Sequence, residues 1–139
     1  VYETGELKAT AYKHGIKIGE SIIKTTGEAA GLKLTPDRTT IKADNKDLSF
    51  LLVEAIDKDG LTHPLADNRI KIEVSGPGTI AGVGNGNPQS LNPFRSDELS
   101  LFYGKAMIIL RSGNEEGEVE LKVTSEGLNP VTTRIRIIN

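Results

Sequence analysis

The alternation of apolar and polar positions predicts β-strands along the whole chain and no helix. Alternation is clear from Leu7 to Ala11, and this period of two is typical of a half-buried strand. His14-Gly15 follows as a predicted two-residue turn, because glycine adopts positive φ at no steric cost. An isoleucine-rich return strand reaches about Thr26. The sequence therefore predicts an N-terminal β-hairpin, which needs support from elsewhere because a lone hairpin is only marginally stable in water.

A second unit follows a small-residue joint at residues 27–31. Glycine- and proline-rich turns separate its short apolar stretches. Roughly seven strands are expected there, near residues 39–42, 48–57, 70–74, 79–83, 101–110, 118–125 and 131–138. About seven short strands in about 110 residues are typical of an immunoglobulin-like β-sandwich. The predicted fold class is therefore all-β, an immunoglobulin-like β-sandwich plus an N-terminal β-hairpin.

The strand over residues 48–57 is unusual because both of its faces are apolar. Its two alternating series are Leu51, Val53 and Ala55 on one face, and Leu48, Phe50, Leu52 and Ile56 on the other. A sandwich strand normally keeps one solvated face. We therefore expect the outer face to be covered, either by the hairpin or by a neighbouring domain.

Composition excludes several classes of function. The 139 residues carry a net charge of -2 and no cysteine, which excludes disulfides, thiolate metal sites and cysteine nucleophiles. No apolar run approaches the roughly 20 residues needed to span a bilayer. No basic cluster indicates nucleic-acid binding. We therefore expect neither a membrane nor a nucleic acid as partner.

Motifs that resemble reactive sites are better explained as turns. Asp57-x-Asp59-Gly60 begins like a calcium loop but lacks the closing glutamate, so a plain turn is favoured, and the sequence leaves cation binding there open. Asp44 and Asp47 lie nearby in sequence and could join this pair in space. The glycines over 82–86 are not followed by a helix, which a phosphate loop requires.

The remaining reactive side chains are equally isolated. His14 and His63 have no partner at ligand or triad spacing. Glu115-Glu116 occupies a predicted turn tip, where two carboxylates cannot flank a sugar in a cleft. The sequence therefore predicts no catalytic, metal-binding or cofactor-binding residue, and no cofactor.

The loop over residues 84–100 is the best candidate for a contact site. Structureless loops longer than about 12–15 residues are uncommon in compact domains and often functional. Phe50 and Phe102 are assigned to the core, which leaves Phe94 as an exposed aromatic ring, with Arg95 beside it. Nearby amides offer hydrogen bonds to a sugar: Asn85, Asn87, Gln89 and Asn92. A glycan or interface loop built from Asn85, Asn87, Gln89, Phe94 and Arg95 is therefore predicted.

An ordered series of blocks resembles a known family. The blocks are Ala43 to Ser49, Val53 to Gly60, Ala66-Asp67-Asn68, Gly76-Pro77-Gly78, Gly82 to Pro88, Phe102 to Ala106 and Thr124 to Leu128. Together they resemble the C-terminal immunoglobulin-like domain of bacterial family-2 glycoside hydrolases of the β-galactosidase type. Gly5 to Tyr12 and Thr25-Thr26-Gly27 resemble the closing strands of the sandwich domain that precedes it.

The resemblance implies a domain organisation and a role. Residues 1–27 would be a hairpin remnant of the preceding domain, and residues 28–139 the C-terminal domain. The parent would hydrolyse β-galactosides with retention of configuration, using glutamates of an α/β barrel that no segment here resembles. The fragment itself would be no enzyme. It would pack against other domains of the parent. The length and polarity of the loop add the hypothesis that its stretch from Gly84 to Arg95 borders the active site or an oligomer interface.

Three further expectations accompany this interpretation. The family setting implies a periplasmic or secreted bacterial protein. The unsupported hairpin and the two-faced strand predict self-association of the fragment into homo-oligomers through exposed edges. Two alternative functions stay open: a stand-alone carbohydrate-binding module, and an immunoglobulin-like adhesion or spacer domain.

Overall fold

The chain is built from strands throughout its described part. The computed structural model describes residues 5–24, 26–91 and 93–139, with side chains except at 6–9 and 17–24. Within these ranges there is no helix, and therefore none that could cross a membrane. The strands are β1 Glu6–Lys13, β2 Ile16–Lys24, β3 Gly31–Pro36, β4 Thr40–Lys42, β5 Leu48–Ile56, β6 Arg69–Ser75, β7 Gly78–Gly84, β8 Glu98–Ser100, β9 Lys105–Ser112, β10 Gly117–Ser125 and β11 Val131–Ile138. The predicted all-β class is confirmed.

The first two strands form the predicted hairpin. β1 and β2 pair antiparallel as a two-stranded sheet of their own. His14 and Gly15 both have positive φ, 52° and 78°, which is the geometry that tight two-residue hairpins require. The assignment of residues 1–27 to a preceding domain stays a prediction.

Strands β3 to β11 form the sandwich. One sheet has the order β4-β11-β10-β6-β8 and is called the five-stranded sheet; the other has the order β3-β5-β9-β7 and is called the four-stranded sheet. β4 pairs parallel to β11, and the other pairs are antiparallel. This distribution of strands over two sheets is that of immunoglobulin domains. The predicted sandwich is therefore confirmed.

The core lies between the inner faces of the two sheets. Alternate residues of β5, β9, β10 and β11 supply it, so that Leu51, Leu110 and Leu121 are completely buried. The period-two patterning of these strands explains which side chains point inward. The face assignment made from the sequence for β5 is therefore correct for its inner series.

Two strands and one boundary differ from the sequence prediction. β3 and β8 were not expected; β8 has only three residues, too few to show a period. β9 begins at Lys105 rather than residue 101, because Tyr103 (φ 50°) and Gly104 (φ 77°) form a tight turn before it.

The assignment of Phe50 to the core is wrong. It belongs to the outward series of β5, and 39% of its surface is exposed. Phe102 is half-buried and packs edge-on against the ring of Tyr103, with 4.5 Å between ring centroids. Because outward and inward positions alternate strictly along β5, Phe50 cannot share the inner face with Leu51.

Candidate functional site

The loop between β7 and β8 brings together three of its five predicted contact residues. Asn85, Asn87 and Phe94 line a cavity of about 170 Å³ whose floor includes Val83 and Leu99. Gln89 and Arg95 are exposed and lie outside this lining. Asn92 lies outside the described residues.

The asparagine side chains hold the loop in shape. Asn85 Nδ2 donates to the carbonyl of Ser100 (2.8 Å), and Asn85 Oδ1 accepts from the Asn87 amide (2.9 Å). Asn87 Oδ1 in turn accepts from the Gln89 amide (2.9 Å). Asparagine favours such turns because its side chain bonds the backbone two residues onward. These groups are therefore committed to the loop itself, and a sugar would have to compete for them.

Phe94 attaches the loop to the four-stranded sheet. Its carbonyl accepts a hydrogen bond from the Val83 amide (2.7 Å), and its ring lies over Gly82, where an added Cβ would overlap the ring atoms. Gly82 pairs with Ile109 on the outer side of the sheet. A glycine inside a strand often marks the close approach of another group, so Gly82 is the signal in the sequence from which this unpredicted contact could have been found.

This geometry suits a contact surface better than a sugar pocket. The cavity is smaller than the roughly 300–1,000 Å³ of usual ligand sites, and one face of the Phe94 ring already covers the strand. Phe94 as a whole is nevertheless 63% exposed, so the outer face of its ring is available to meet a partner. Glycan binding by this loop stays a prediction.

Asp57 forms a second polar centre, at the end of β5. The residue is 3% exposed, and its carboxylate accepts hydrogen bonds from the amides of Gly27, Asp59 and Leu61, each at 2.9 Å. These bonds, that of Gly27 foremost, hold the pKa of the carboxyl below its ordinary value. Asp57 thus fixes both its own turn and the joint between hairpin and sandwich.

Asp44 and Asp47 do not join Asp57. They precede β5, whereas Asp57 follows it, and nine residues of strand separate the two ends by about 30 Å. Asp47 is paired with Arg38 at 2.6 Å and accepts from the Lys42 and Leu48 amides. The Arg38 bond, followed by that of the Lys42 amide, lowers the pKa of Asp47 to about 2. The structure therefore does not realise the possibility, left open by the sequence, that these carboxylates meet Asp57.

The other reactive side chains serve local structure. Glu115 and Glu116 are exposed between β9 and β10, where Glu116 accepts from the Asn139 amide at 2.8 Å. His63 Nδ1 accepts from the amide of Leu65 at 3.3 Å. Among the described residues, no three His, Asp or Glu side chains gather to hold a metal ion.

These features define a β-sandwich module whose polar side chains fix its own turns and whose long loop is fastened to one sheet. The chain belongs to the glycoside hydrolase family 2 C-terminal domain 5, whose sequence model matches residues 32–134. The resemblance inferred from the sequence is therefore confirmed. This chain is a non-catalytic C-terminal domain of that family.

Individual relatives support the assignment. The chain is 40% identical over 134 residues to β-galactosidase BoGH2A of Bacteroides ovatus, a match covering 96% of the chain and 16% of that enzyme. It is 30% identical to a β-glucuronidase of Formosa agariphila, covering 97% of the chain and 14% of that protein. A crystal structure of a glycosyl hydrolase family 2 member from Bacteroides cellulosilyticus superposes with a TM-score of 0.89 at 31% identity, covering 98% of the chain and 18% of that structure. The chain thus spans about one sixth of the length of each of these three relatives.

Proposed function

We propose that the chain is the accessory C-terminal domain of an enzyme that hydrolyses β-galactosides with retention, and that it packs against the other domains of that enzyme. The 40% identity to BoGH2A over nearly the whole chain supports this proposal most strongly. The 30% identity to a β-glucuronidase makes β-glucuronides the competing substrate class. A domain whose polar side chains form hydrogen bonds within its own turns is better suited to packing against other domains than to catalysis.

The substrate is tested on the parent enzyme. Initial rates with aryl β-galactoside and aryl β-glucuronide are compared at equal concentration, and the anomer first released is read by proton NMR. We expect hydrolysis of the galactoside with a β-configured first product. Preference for the glucuronide would refute the substrate assignment, and an α-configured first product would refute retention.

We further propose that the loop over residues 85–97 borders the active site or an oligomer interface of the parent. Phe94 offers one free ring face, and Gln89 and Arg95 are exposed beside it. We expect Phe94→Ala with Arg95→Ala to raise KM or to weaken assembly. Leu65→Ala is the matched control, since Leu65 is 70% exposed on another loop. Unchanged kinetics and unchanged mass by light scattering would remove this role.

Two expectations from the family resemblance are also proposals. Residues 1–27 belong to the preceding sandwich domain, which predicts that a protease cleaves the parent within residues 1–27 more slowly than at exposed loops. The parent acts outside the bacterial cytoplasm, a setting with which the absence of cysteine is compatible. Fractionation of the source bacterium tests this, and activity confined to the cytoplasm would contradict it.

A further inference from the structure

The outer face of the four-stranded sheet is apolar at its centre. Phe50 and Leu52 of β5 lie beside Ile109 and Met107 of β9, in direct cross-strand pairs. Phe50 and Met107 are 39% and 37% exposed, while Leu52 and Ile109 are half-buried. We call these four residues the apolar face. The Phe94 ring over Gly82 extends it across β7.

The outer face of the five-stranded sheet is charged instead. Its outward positions carry Lys71, Glu73, Glu118, Glu120, Lys122, Arg134 and Arg136. Arg134 lies 3.5 Å from Glu118 and 3.3 Å from Glu120, in exposed ion pairs. Both sheets belong to one domain, and in both the inward and outward positions alternate, so an outer face in contact with water should be polar in each. Exposure to water therefore explains the charged face but does not explain the apolar face.

One end of the apolar face carries an arginine whose Nε has no hydrogen-bond partner among the described residues. Arg111 lies two residues beyond Ile109 in the same outward series of β9. Its Nε is buried and makes no hydrogen bond with any described residue. Aromatic residues, methionine and arginine are enriched in protein interfaces. The apolar face and the adjoining Arg111 together supply all three. An acceptor on a partner would satisfy the Arg111 guanidinium.

The chain upstream of the sandwich arrives beside this face. The Asp57 carboxylate holds the Gly27 amide, and the Ala30 amide donates to the Ile56 carbonyl at 2.8 Å. Ile56 ends the same strand that presents Phe50 and Leu52. The part of the polypeptide that precedes residue 27 is therefore tethered at one end of β5. This covalent linkage raises its effective concentration at the outer face of the four-stranded sheet.

We infer that the apolar face is the docking surface for the preceding domains of the same polypeptide, with a carboxylate or carbonyl oxygen of those domains opposite Arg111. The inference rests on the proposed function, which gives the chain a multidomain parent. Relatives such as BoGH2A are about six times the length of this match, so a parent of that length would supply ample chain to cover the face. The domain would therefore pack by its four-stranded sheet and not by the charged face of the five-stranded sheet.

Single cysteines in the parent enzyme test the inference, because this chain contributes no cysteine of its own. Met107→Cys and Phe50→Cys place a thiol on the apolar face. Ile138→Cys is the matched control: Ile138 ends β11 in the five-stranded sheet and is 42% exposed, close to the 37% of Met107. Maleimide labelling of each site is followed by peptide mass spectrometry, and each rate is divided by its rate in denatured enzyme.

Docking predicts that the two sites on the apolar face label about tenfold or more slowly than Ile138→Cys, since access then requires local opening. The protection should not change with enzyme concentration. Equal labelling at the three sites overturns the inference, as does protection that disappears on dilution, which would make a second copy the occupant. Hydrolysis by the same samples is measured alongside, so that failure of the proposed glycosidase function is distinguished from failure of the docking surface.

Discussion

The contact between Gly82 and Phe94 allows a quantitative prediction about how the long loop is held. Gly82→Ala places a methyl group where the Phe94 ring lies, so the ring has to leave the sheet. About a third of Phe94 is buried, which for an aromatic side chain is roughly 70 Å². At about 25 cal/mol per Å² this burial contributes about 1–2 kcal/mol. For a chain of this size, we expect the melting temperature to fall by about 3–8 °C.

The assay is chemical and thermal unfolding of the chain in a double-mutant cycle. Gly84→Ala is the matched control, because Gly84 lies two residues along the same strand and an added Cβ there meets nothing within 4 Å. We expect Gly84→Ala to be nearly neutral. Once Phe94→Ala has removed the ring, Gly82→Ala should also cost almost nothing, since the two residues couple directly.

The cycle refutes the reasoning if its coupling energy is close to zero. A Gly82→Ala change that is as costly in the Phe94→Ala background as in the wild type would mean that the methyl meets something other than the ring. The loop would then be held by its asparagine turns alone. In that case Phe94 would not belong to the outer face of the sheet.

Three further predictions concern the rest of the domain. Asp57→Asn should lower the melting temperature and speed proteolysis at the joint near Gly27, because the carboxylate that accepts hydrogen bonds from three backbone amides is replaced by a carboxamide with one acceptor oxygen. Exposed Asp59→Asn is the control, and an equal effect of both substitutions would contradict the prediction. The bonds from Arg38 and the Lys42 amide lower the pKa of Asp47 from 3.8 to about 2. The stability that these bonds contribute is therefore fully present above about pH 4 and is lost as pH falls towards 2. Urea titrations from pH 6 to pH 2 measure this loss, which Arg38→Gln should reduce; an unchanged pH slope in that variant would count against the ion pair. Leu110→Ala should lower the free energy of unfolding by about 2–5 kcal/mol, because the side chain is completely buried. Ile109→Ala should lower it by less, because Ile109 points outward and is half-buried. The reverse order would mean that the two faces of β9 are misassigned.

Features encoded by neighbouring residues could be predicted from the sequence. The His14-Gly15 turn follows from the φ values that a two-residue hairpin demands, and the inner face of β5 follows from its period of two. The two-faced pattern of β5 further predicts that its outer face is covered by another part of the protein. These predictions needed only residues within one or two positions of each other.

Features encoded by distant residues could not be predicted in the same way. The bond from Gly27 to Asp57 joins residues 30 positions apart, and no pattern in either segment specifies the other. The placement of Phe94 on Gly82 depends on how the loop folds back on β7. The assignment of Phe50 to the core is a different case, because it rests on the apolar character of the side chain, whereas the local alternation of β5 places Phe50 on the outer face.

The attachment of Phe94 to the sheet makes the loop and the apolar face a single surface. Gly82 pairs with Ile109, so the ring lies next to the residues proposed to contact the preceding domains. A domain docked by that face would therefore hold the loop at the rim of the interface, and any opening of the interface would also expose Phe94. Phe94→Ala in the parent then disturbs docking and loop together, whereas Gln89, which is exposed and outside the cavity lining, reports on the loop alone. An effect of Gln89→Ala on KM without any change in labelling at Met107→Cys would separate the two roles, because only a contact beyond the sheet could produce it.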